Sequence, residues 1–289
     1  MESLFNSRRR LAETSLHLPT FGMGTAHLGE LYSTVDESVS QATLEAAWTG
    51  GVRYFDTAAW YGRGLAEHRL GGFLRTKPRG DFLISTKVGR TLQRPADPST
   101  FDRNPWTGGL TFEVKFDYSY GGIMRSYEQA LQRLALDSVD ALVIHDLDSL
   151  FHDEETIASH TKDLSESGMK ALSDLKSSGG IRAFGMGINM KKQLVGLAQK
   201  VELDFVLVAM PYTLIDQESL HTGMKACQDR NIGVIIGAPF ASGILATGSA
   251  GAAHYNYGTA DTIVIEKVRQ IEAVCDAHGV SLQAAALQF

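Results

Sequence analysis

Seven short apolar runs punctuate this chain, and none of them alternates between apolar and polar positions. They cover residues 21–25, 52–56, 82–87, 139–145, 183–188, 205–210 and 233–236. Between them apolar residues recur at helical spacing: Val35, Val39, Ala42 and Ala46, then Ala66, Leu70 and Phe73, then Ile123, Tyr127, Ala130 and Leu134. The spacing returns in Met169, Leu172 and Leu175, in Leu194, Leu197 and Val201, in Leu220, Met224 and Cys227, and in Val264, Val268, Ile271 and Cys275. A strand that is apolar throughout is buried on both faces, and a helix between successive strands makes the pair parallel. The chain is therefore of the α/β class, and the choice lies between a closed (β/α)8 TIM barrel and a doubly wound sheet.

A dinucleotide-binding sheet wants Gly-x-Gly-x-x-Gly after its first strand and an acidic residue about 20 positions later. Phe21-Gly-Met-Gly-Thr-Ala-His27 lacks the third glycine. Three of the strands instead end in Asp56, Lys87 and His145, as the strands of a barrel deliver polar side chains to one rim. The expectation is a single (β/α)8 barrel domain over residues 1–289, a length that one α/β barrel of roughly 250 residues or more readily occupies. Residues 1–18 read as an N-terminal tail or hairpin. Residues 89–117 read as a long loop after the third strand, a lid or a disordered segment. The sequence ends at Phe289, inside a helix that Ser281 would cap. With seven strands legible, the chain as given is expected to lack its last strand and helix, unless the barrel closes in another way.

A net charge of −6, with no basic patch interleaved with aromatics, speaks against a nucleic-acid partner. No N-terminal apolar segment of a secretory signal is present, nor an apolar run long enough to span a bilayer, so a cytoplasmic protein with no membrane partner is expected. Cys227 and Cys275 both fall in helical apolar phase and read as free thiols in a core.

The stretch Tyr54-Phe-Asp-Thr-Ala-Ala-Trp-Tyr-Gly-Arg-Gly64 carries the strongest chemical signal. An apolar strand ends in Asp56, and a glycine-rich turn follows with Tyr61 inside it. A plainer alternative is that Asp56 or Thr57 caps the next helix and Tyr61 covers the loop. Lys87 and His145 at two further strand ends favour a shared site. An ammonium beside the phenol is expected to bring its pKa down toward the working range. Asp56 would keep Lys87 charged and aimed, and His145 would orient an oxygen of the substrate. The set handles a proton on oxygen while something else moves at carbon. No nucleophile and no metal-ligand cluster accompanies it.

Asp56-x4-Tyr61, Ser85-Thr-Lys87 and Val143-Ile-His145 resemble the aldo-keto reductase family, a (β/α)8 superfamily, and the resemblance runs from Phe21 to Phe289. It implies hydride transfer between a nicotinamide cofactor, NAD or NADP, and a carbonyl carbon, without a Rossmann motif. Carried over by position, Tyr61 is the general acid/base, Lys87 and Asp56 tune it, and His145 orients the small-molecule substrate. The resemblance also implies cofactor contacts from Gly24 and Thr25 after the first strand and from Phe240, Ala241 and Gly243 after the seventh. Gly187 and Ile188 stand where the family often has Ser-Asn, with Asn189 next. Ala209 replaces a usual Gln, and Gly237 replaces an aromatic that stacks on the nicotinamide. Gly187-Ile188-Asn189 and Met210-Pro-Tyr-Thr-Leu214 resemble a subgroup that oxidises aldoses or pyridoxal, which favours NAD. In this family the C-terminal region reads the adenosine end of the cofactor, so NAD against NADP stays open, as does oligomeric state.

His27, Trp60 and Trp106 are candidates for the substrate pocket, Trp60 being equally at home packed under its loop. His152, His160, His221, His254 and His278 are expected on the surface. Two rival functions remain at this level: a barrel that binds nicotinamide as a sensor or regulatory subunit without turnover, and a phosphate-handling isomerase that binds no nicotinamide.

Overall fold

The computed structural model describes residues 7–191, 194, 202–210, 212–251, 254–256 and 258–289. Leu197, Val201 and Pro211 of the sequence reading lie outside the described residues, as does Tyr257. The chain divides into two compact units, Met1–Met186 and Gly187–Phe289.

The first unit opens with β1 (Arg8–Arg10), antiparallel to β2 (His17–Pro19). Leu11, Leu16 and Leu18 are buried beneath this hairpin, so its exposed arginines are only the outer face. Then come β3 (Met23–Gly24), β4 (Tyr54–Asp56) and β5 (Leu83–Val88). The segment 89–117 follows, and after it β8 (Ala141–Ile144) and β9 (Ala183–Ile188). These five strands are parallel and hydrogen-bonded in the order β3-β4-β5-β8-β9, each beside its predecessor in the chain. A doubly wound sheet would reverse direction part-way. Strand order that follows chain order is barrel-like.

The helices of this unit are α1 (Glu37–Thr49), α2 (Leu65–Leu74), α3 (Tyr120–Leu134), α4 (Glu154–Asp163) and α5 (Met169–Ser177). Apolar periodicity shows α2, α3 and α5. α1 lies where expected but turns Val39, Ala42 and Ala46 outward and buries Ser40 and Leu44 instead. α4 buries no residue. That helix is held by local chemistry instead. Asp153 accepts from the N–H of Thr156, Glu154 and Glu155 lie in the first turn, and Lys162 lies in the last.

The long segment after β5 is more ordered than a plain loop. β6 (Arg90–Gln93) pairs antiparallel with β7 (Glu113–Phe116), from Arg90 opposite Phe116 to Gln93 opposite Glu113. Arg63 then ties the intervening chain down, donating to the carbonyls of Phe112 (3.0 Å), Asn104 (3.3 Å) and Asp102 (3.4 Å). His152 and His160 depart from their expected surface positions. Both are half-buried, with His152 4.4 Å from the Phe116 ring and His160 5.0 Å from that of Tyr118.

In the second unit β10 (Phe205–Ala209) pairs parallel with β11 (Gly233–Gly237). The helices Gly223–Asp229, Ile244–Thr247, Thr262–Ala277 and Leu282–Gln288 follow in order around them. Ser281 caps the last, accepting from the N–H of Ala284 at 3.2 Å. Its core gathers Ile244, Leu245, Val268, Cys275, Leu282 and Ala286. Cys227 and Cys275 are buried free thiols, as their helical phase requires. Among the described residues no helix is long and apolar enough to cross a membrane.

Candidate active site

Parallel register brings the C-terminal ends of β4, β5 and β8 level with one another. Asp56, the last residue of β4, sits opposite Ser85, and Lys87 sits opposite Val143. Ser85 and Lys87, two positions apart on a strand, share a face, and both reach the same carboxylate. The Ser85 hydroxyl donates to Asp56 Oδ1 at 2.7 Å. Lys87 Nζ donates to Asp56 Oδ2 at 2.5 Å and to the carbonyl of Thr57 at 2.8 Å. Asp56 and Lys87 are both buried. His145 follows β8 directly, its backbone N–H donating to the Val88 carbonyl at 3.1 Å, and the Tyr118 hydroxyl donates to the His145 carbonyl at 2.7 Å.

Tyr61 opens the turn Tyr61–Gly64. Gly62 has a φ of +63°, and a Cβ there would stand 2.6 Å from the Gly29 carbonyl oxygen. Added to Gly29, a Cβ would stand 2.4 Å from the Gly62 nitrogen. Two glycine backbones in contact thus hold the turn that carries the phenol. Lys87 Nζ lies 4.7 Å from the centroid of the Tyr61 ring, and the His145 ring is edge-on to it at 6.0 Å. The four residues singled out in sequence therefore converge.

Burial works to lower the Lys87 pKa, but the Asp56 carboxylate beside it overcomes burial, and Lys87 stays an ammonium. Burial, the cations of Arg90 and Lys87 adding to it, holds His145 well below the ordinary histidine range, so its imidazole is neutral. Tyr61 corrects the sequence reading. Burial raises its pKa more than Lys87 lowers it, and Asp56 and Asp146 push the same way as burial. The resting phenol is protonated, and Lys87 limits the upward shift without reversing it.

Two functional-looking residues escaped the sequence reading. Arg90 Nη2 donates to Asp146 Oδ2 at 2.5 Å, and that same oxygen lies 3.1 Å from His145 Nε2. The available signal was a carboxylate adjoining a strand-ending histidine, and a lone arginine opening the segment after Lys87.

The candidate pocket residues separate. Trp106 is buried, edge-on to Trp60 at 5.5 Å and tilted against Tyr61 at 5.9 Å. Its indole N–H is buried without a protein partner. Trp60 is half-buried and also meets Phe151 edge-on at 6.2 Å. His27 is exposed on the turn Ala26–Gly29, its ring 6.2 Å from that of Tyr32. Of the candidate cofactor residues in the first unit, Thr25 donates its N–H and its hydroxyl to the Asp56 carbonyl, both at 3.0 Å, while a Cβ on Gly24 would meet nothing within 4 Å. In the second unit Gly187 is buried at the end of β9 and Asn189 is half-buried just after it. Phe240 precedes a run of left-handed backbone, with φ of +49° at Ala241, +61° at Ser242 and +109° at Gly243.

Residues 20–289 match the profile of the Aldo/keto reductase family. The chain is 37% identical to the pyridoxal 4-dehydrogenase of Microbacterium luteolum, over 98% of its own length and 85% of that protein's. It is 35% identical to the D-threo-aldose 1-dehydrogenase of a Pseudomonas species, over 96% of this chain and 83% of that one. Among solved structures, the glycerol dehydrogenase of Gluconobacter oxydans superposes with a TM-score of 0.70 at 19% identity, covering 99% of this chain and 82% of that one. An aldo-keto reductase from Bacillus halodurans, in its holo form, gives 0.64 at 23% identity, covering 87% and 73%. With these likenesses the parallel strands described above belong to the (β/α)8 barrel fold.

Proposed function

Because this chain belongs to the Aldo/keto reductase family, we propose that it oxidises the hemiacetal carbon of a small cyclic substrate, an aldose or pyridoxal, to a lactone with NAD as the hydride acceptor. Membership makes it an oxidoreductase of aldehyde and alcohol groups that works on small molecules with NAD or NADP. The pyridoxal 4-dehydrogenase and the D-threo-aldose 1-dehydrogenase named above act on these two substrates, and both substrates present a ring hemiacetal. NAD over NADP rests on the resemblance of residues 187–189 and 210–214 to that subgroup.

Each unit, taken by itself, has one feature compatible with a nicotinamide cofactor. Gly24 leaves open space beside the strand end that carries Asp56, and Gly243 likewise faces open space at a φ only glycine readily adopts. Gly24, Thr25, Gly187, Asn189, Phe240, Ala241 and Gly243 are the residues proposed to hold the cofactor, which when bound supplies the acceptor for hydride. The protein's own part is proton chemistry and orientation. Tyr61 takes the hydroxyl proton as the carbon gives up its hydrogen with the bonding pair and the C=O bond forms. Lys87 stabilises the phenolate this requires, and Asp56 keeps Lys87 in place. Neutral His145 fixes the direction of the substrate oxygen. Trp60 and Trp106 wall the site, and the unpartnered Trp106 N–H offers a donor to a ring hydroxyl.

The observation that carries this reading is the placement of Lys87 between Asp56 and the face of Tyr61. The test is absorbance of reduced nicotinamide with NAD or NADP and a panel of L-fucose, D-arabinose and pyridoxal. Turnover with one of them, cut about 100-fold or more in Tyr61→Phe, is the expected result. Full activity in Tyr61→Phe would refute the assignment. Cofactor binding with no turnover across the panel would favour a regulatory barrel.

A further inference from the structure

We propose that Tyr54, acting through Ser85, is a positioning residue of the catalytic set: it fixes the plane of the Asp56 carboxylate and so holds the Lys87 ammonium against the face of Tyr61. The role rests on the reading of Tyr61 as the acid/base and of Lys87 as its partner.

Strand register makes the arrangement. Tyr54 and Asp56 stand two positions apart on β4, opposite Leu83 and Ser85 of β5, and Lys87 stands two positions beyond Ser85. Side chains two apart share a face of a strand, so Tyr54, Asp56, Ser85 and Lys87 project from one face of the pair. Hydrogen bonds then climb across the two strands. The Tyr54 hydroxyl lies 2.8 Å from Ser85 Oγ, Ser85 Oγ lies 2.7 Å from Asp56 Oδ1, and Lys87 Nζ lies 2.5 Å from Asp56 Oδ2.

Counting hydrogens gives this chain one direction. A carboxylate has none to give, and a serine hydroxyl has one. That one goes to Asp56, so Ser85 Oγ is the acceptor toward Tyr54 and the phenol is the donor. Burial, with the Asp56 charge adding to it, holds the Tyr54 phenol well above the ordinary tyrosine range. Its hydrogen is therefore present at any pH an assay would use. Each oxygen of Asp56 has its own donor, Ser85 at one and Lys87 at the other. The terminal torsion of an aspartate is broad by itself, and a donor at each oxygen narrows it. Bonds arranged head to tail in a dry interior also strengthen one another.

Tyr54 is itself held. Its ring is buried, and a Cβ added to Gly22 would stand 2.4 Å from its Cδ1, so a bare glycine backbone leaves room for the ring on that side. Ser85 is fully buried. The interior of a barrel is ordinarily filled by Val, Ile and Leu. A phenol bonded to a hydroxyl there gains little net stability over apolar groups of the same shape. What the pair adds is direction at Asp56. A carboxylate without it turns, and Nζ moves with the carboxylate. Starting from 4.7 Å, a drift of about 1 Å away from the Tyr61 ring weakens the hold of Nζ on a phenolate by roughly threefold at an effective dielectric near 20.

The test combines Tyr54→Phe with Ser85→Ala. This double variant removes the chain without leaving either hydroxyl buried and unpaired, and phenylalanine keeps the ring that packs on Gly22. In the unmutated protein, 1H–15N correlation of the lysine ammonium groups, assigned through Lys87→Met, should show a Lys87 signal protected from exchange with water. That signal should broaden or vanish in the double variant, and kcat should fall about 3- to 10-fold. The loss of kcat should disappear when the same two substitutions are compared on the residual turnover of Asp56→Asn with Lys87→Met, where no ammonium is left to aim. A fold merely loosened by the substitutions would lose the same factor in both backgrounds, and that result overturns the proposal. So does a folded double variant with wild-type kcat or an unchanged Lys87 signal, and so does a Lys87 ammonium that exchanges freely in the unmutated protein. Should the double variant not fold, Tyr54→Phe alone carries the test, and an unchanged Lys87 signal in it refutes the part given to Tyr54. If no substrate in the panel is turned over by the unmutated protein, the catalytic reading fails, while the ammonium signal still reports whether Tyr54 and Ser85 hold Lys87.

Discussion

Replacing Lys87 by methionine separates the two things the ammonium does. At 4.7 Å from the Tyr61 ring centroid, a unit charge stabilises a phenolate by about 3.5 kcal/mol at an effective dielectric of roughly 20. That corresponds to a factor of a few hundred in the rate of a step that needs the phenolate. The same substitution strands Asp56, which is buried and loses a donor at 2.5 Å but keeps Ser85 at 2.7 Å. Breaking a buried pair costs about 3–5 kcal/mol, and the retained serine argues for about 3. In a chain of this size that lowers the thermal midpoint by roughly 5 °C or more. Calorimetry reads the second effect, and oxidation kcat from reduced-nicotinamide absorbance reads the first. Pairing Lys87→Met with Asp56→Asn removes both charges and should recover most of the stability with none of the rate. A Lys87→Met enzyme within threefold of wild-type kcat, or a double variant that regains turnover, would refute the role given to the ammonium.

Further consequences can be measured independently. The raised Tyr61 pKa means that oxidation, which needs phenolate, should climb about tenfold per pH unit from pH ~6 to ~9, while carbonyl reduction stays nearly flat; an oxidation plateau below pH ~8 would contradict it. His145 is neutral when folded and titrates at an ordinary value when unfolded. The unfolded chain therefore binds the extra proton first, and stability falls as pH drops below about 6.5, by at most about 1.4 kcal/mol per unit. Urea midpoints at pH ~6.5 and ~5.5 should show that loss in the wild type and less of it in His145→Gln. Gly62→Ala places a Cβ 2.6 Å from the Gly29 carbonyl at a φ of +63°. It should destabilise by about 1–3 kcal/mol and lower turnover with it; a fully active, fully stable variant would mean that the turn does not hold Tyr61. Arg63→Ala frees the carbonyls of Asp102, Asn104 and Phe112, and limited proteolysis should then cut within residues 94–112 much faster than in the wild type.

The seven apolar runs were enough to show parallel strands, because a strand covered on both faces has no polar side to display. They were also enough to find Asp56, Lys87 and His145, since parallel register puts strand ends on one rim whatever the loops do. Ser281 was legible as a cap because capping is decided within one turn of chain. What the sequence left undecided depended on neighbours distant along the chain. α4 shows no apolar period because it buries nothing, so only its cap and end charges mark it. The β6–β7 ribbon joins residues separated by some twenty positions of irregular chain, and the burial of His152 and His160 follows from Phe116 and Tyr118 arriving beside them. The phenol of Tyr61 shows the difference most clearly. Its spacing from Asp56 told where it would stand and which cation would flank it. Whether its pKa rises or falls depends on how much water the fold removes, and solvation is a sum over the whole surroundings that no local pattern contains. Arg90 and Asp146 belong to the same class: separate polar residues in the sequence, joined at one oxygen only when β6 and the end of β8 are packed together.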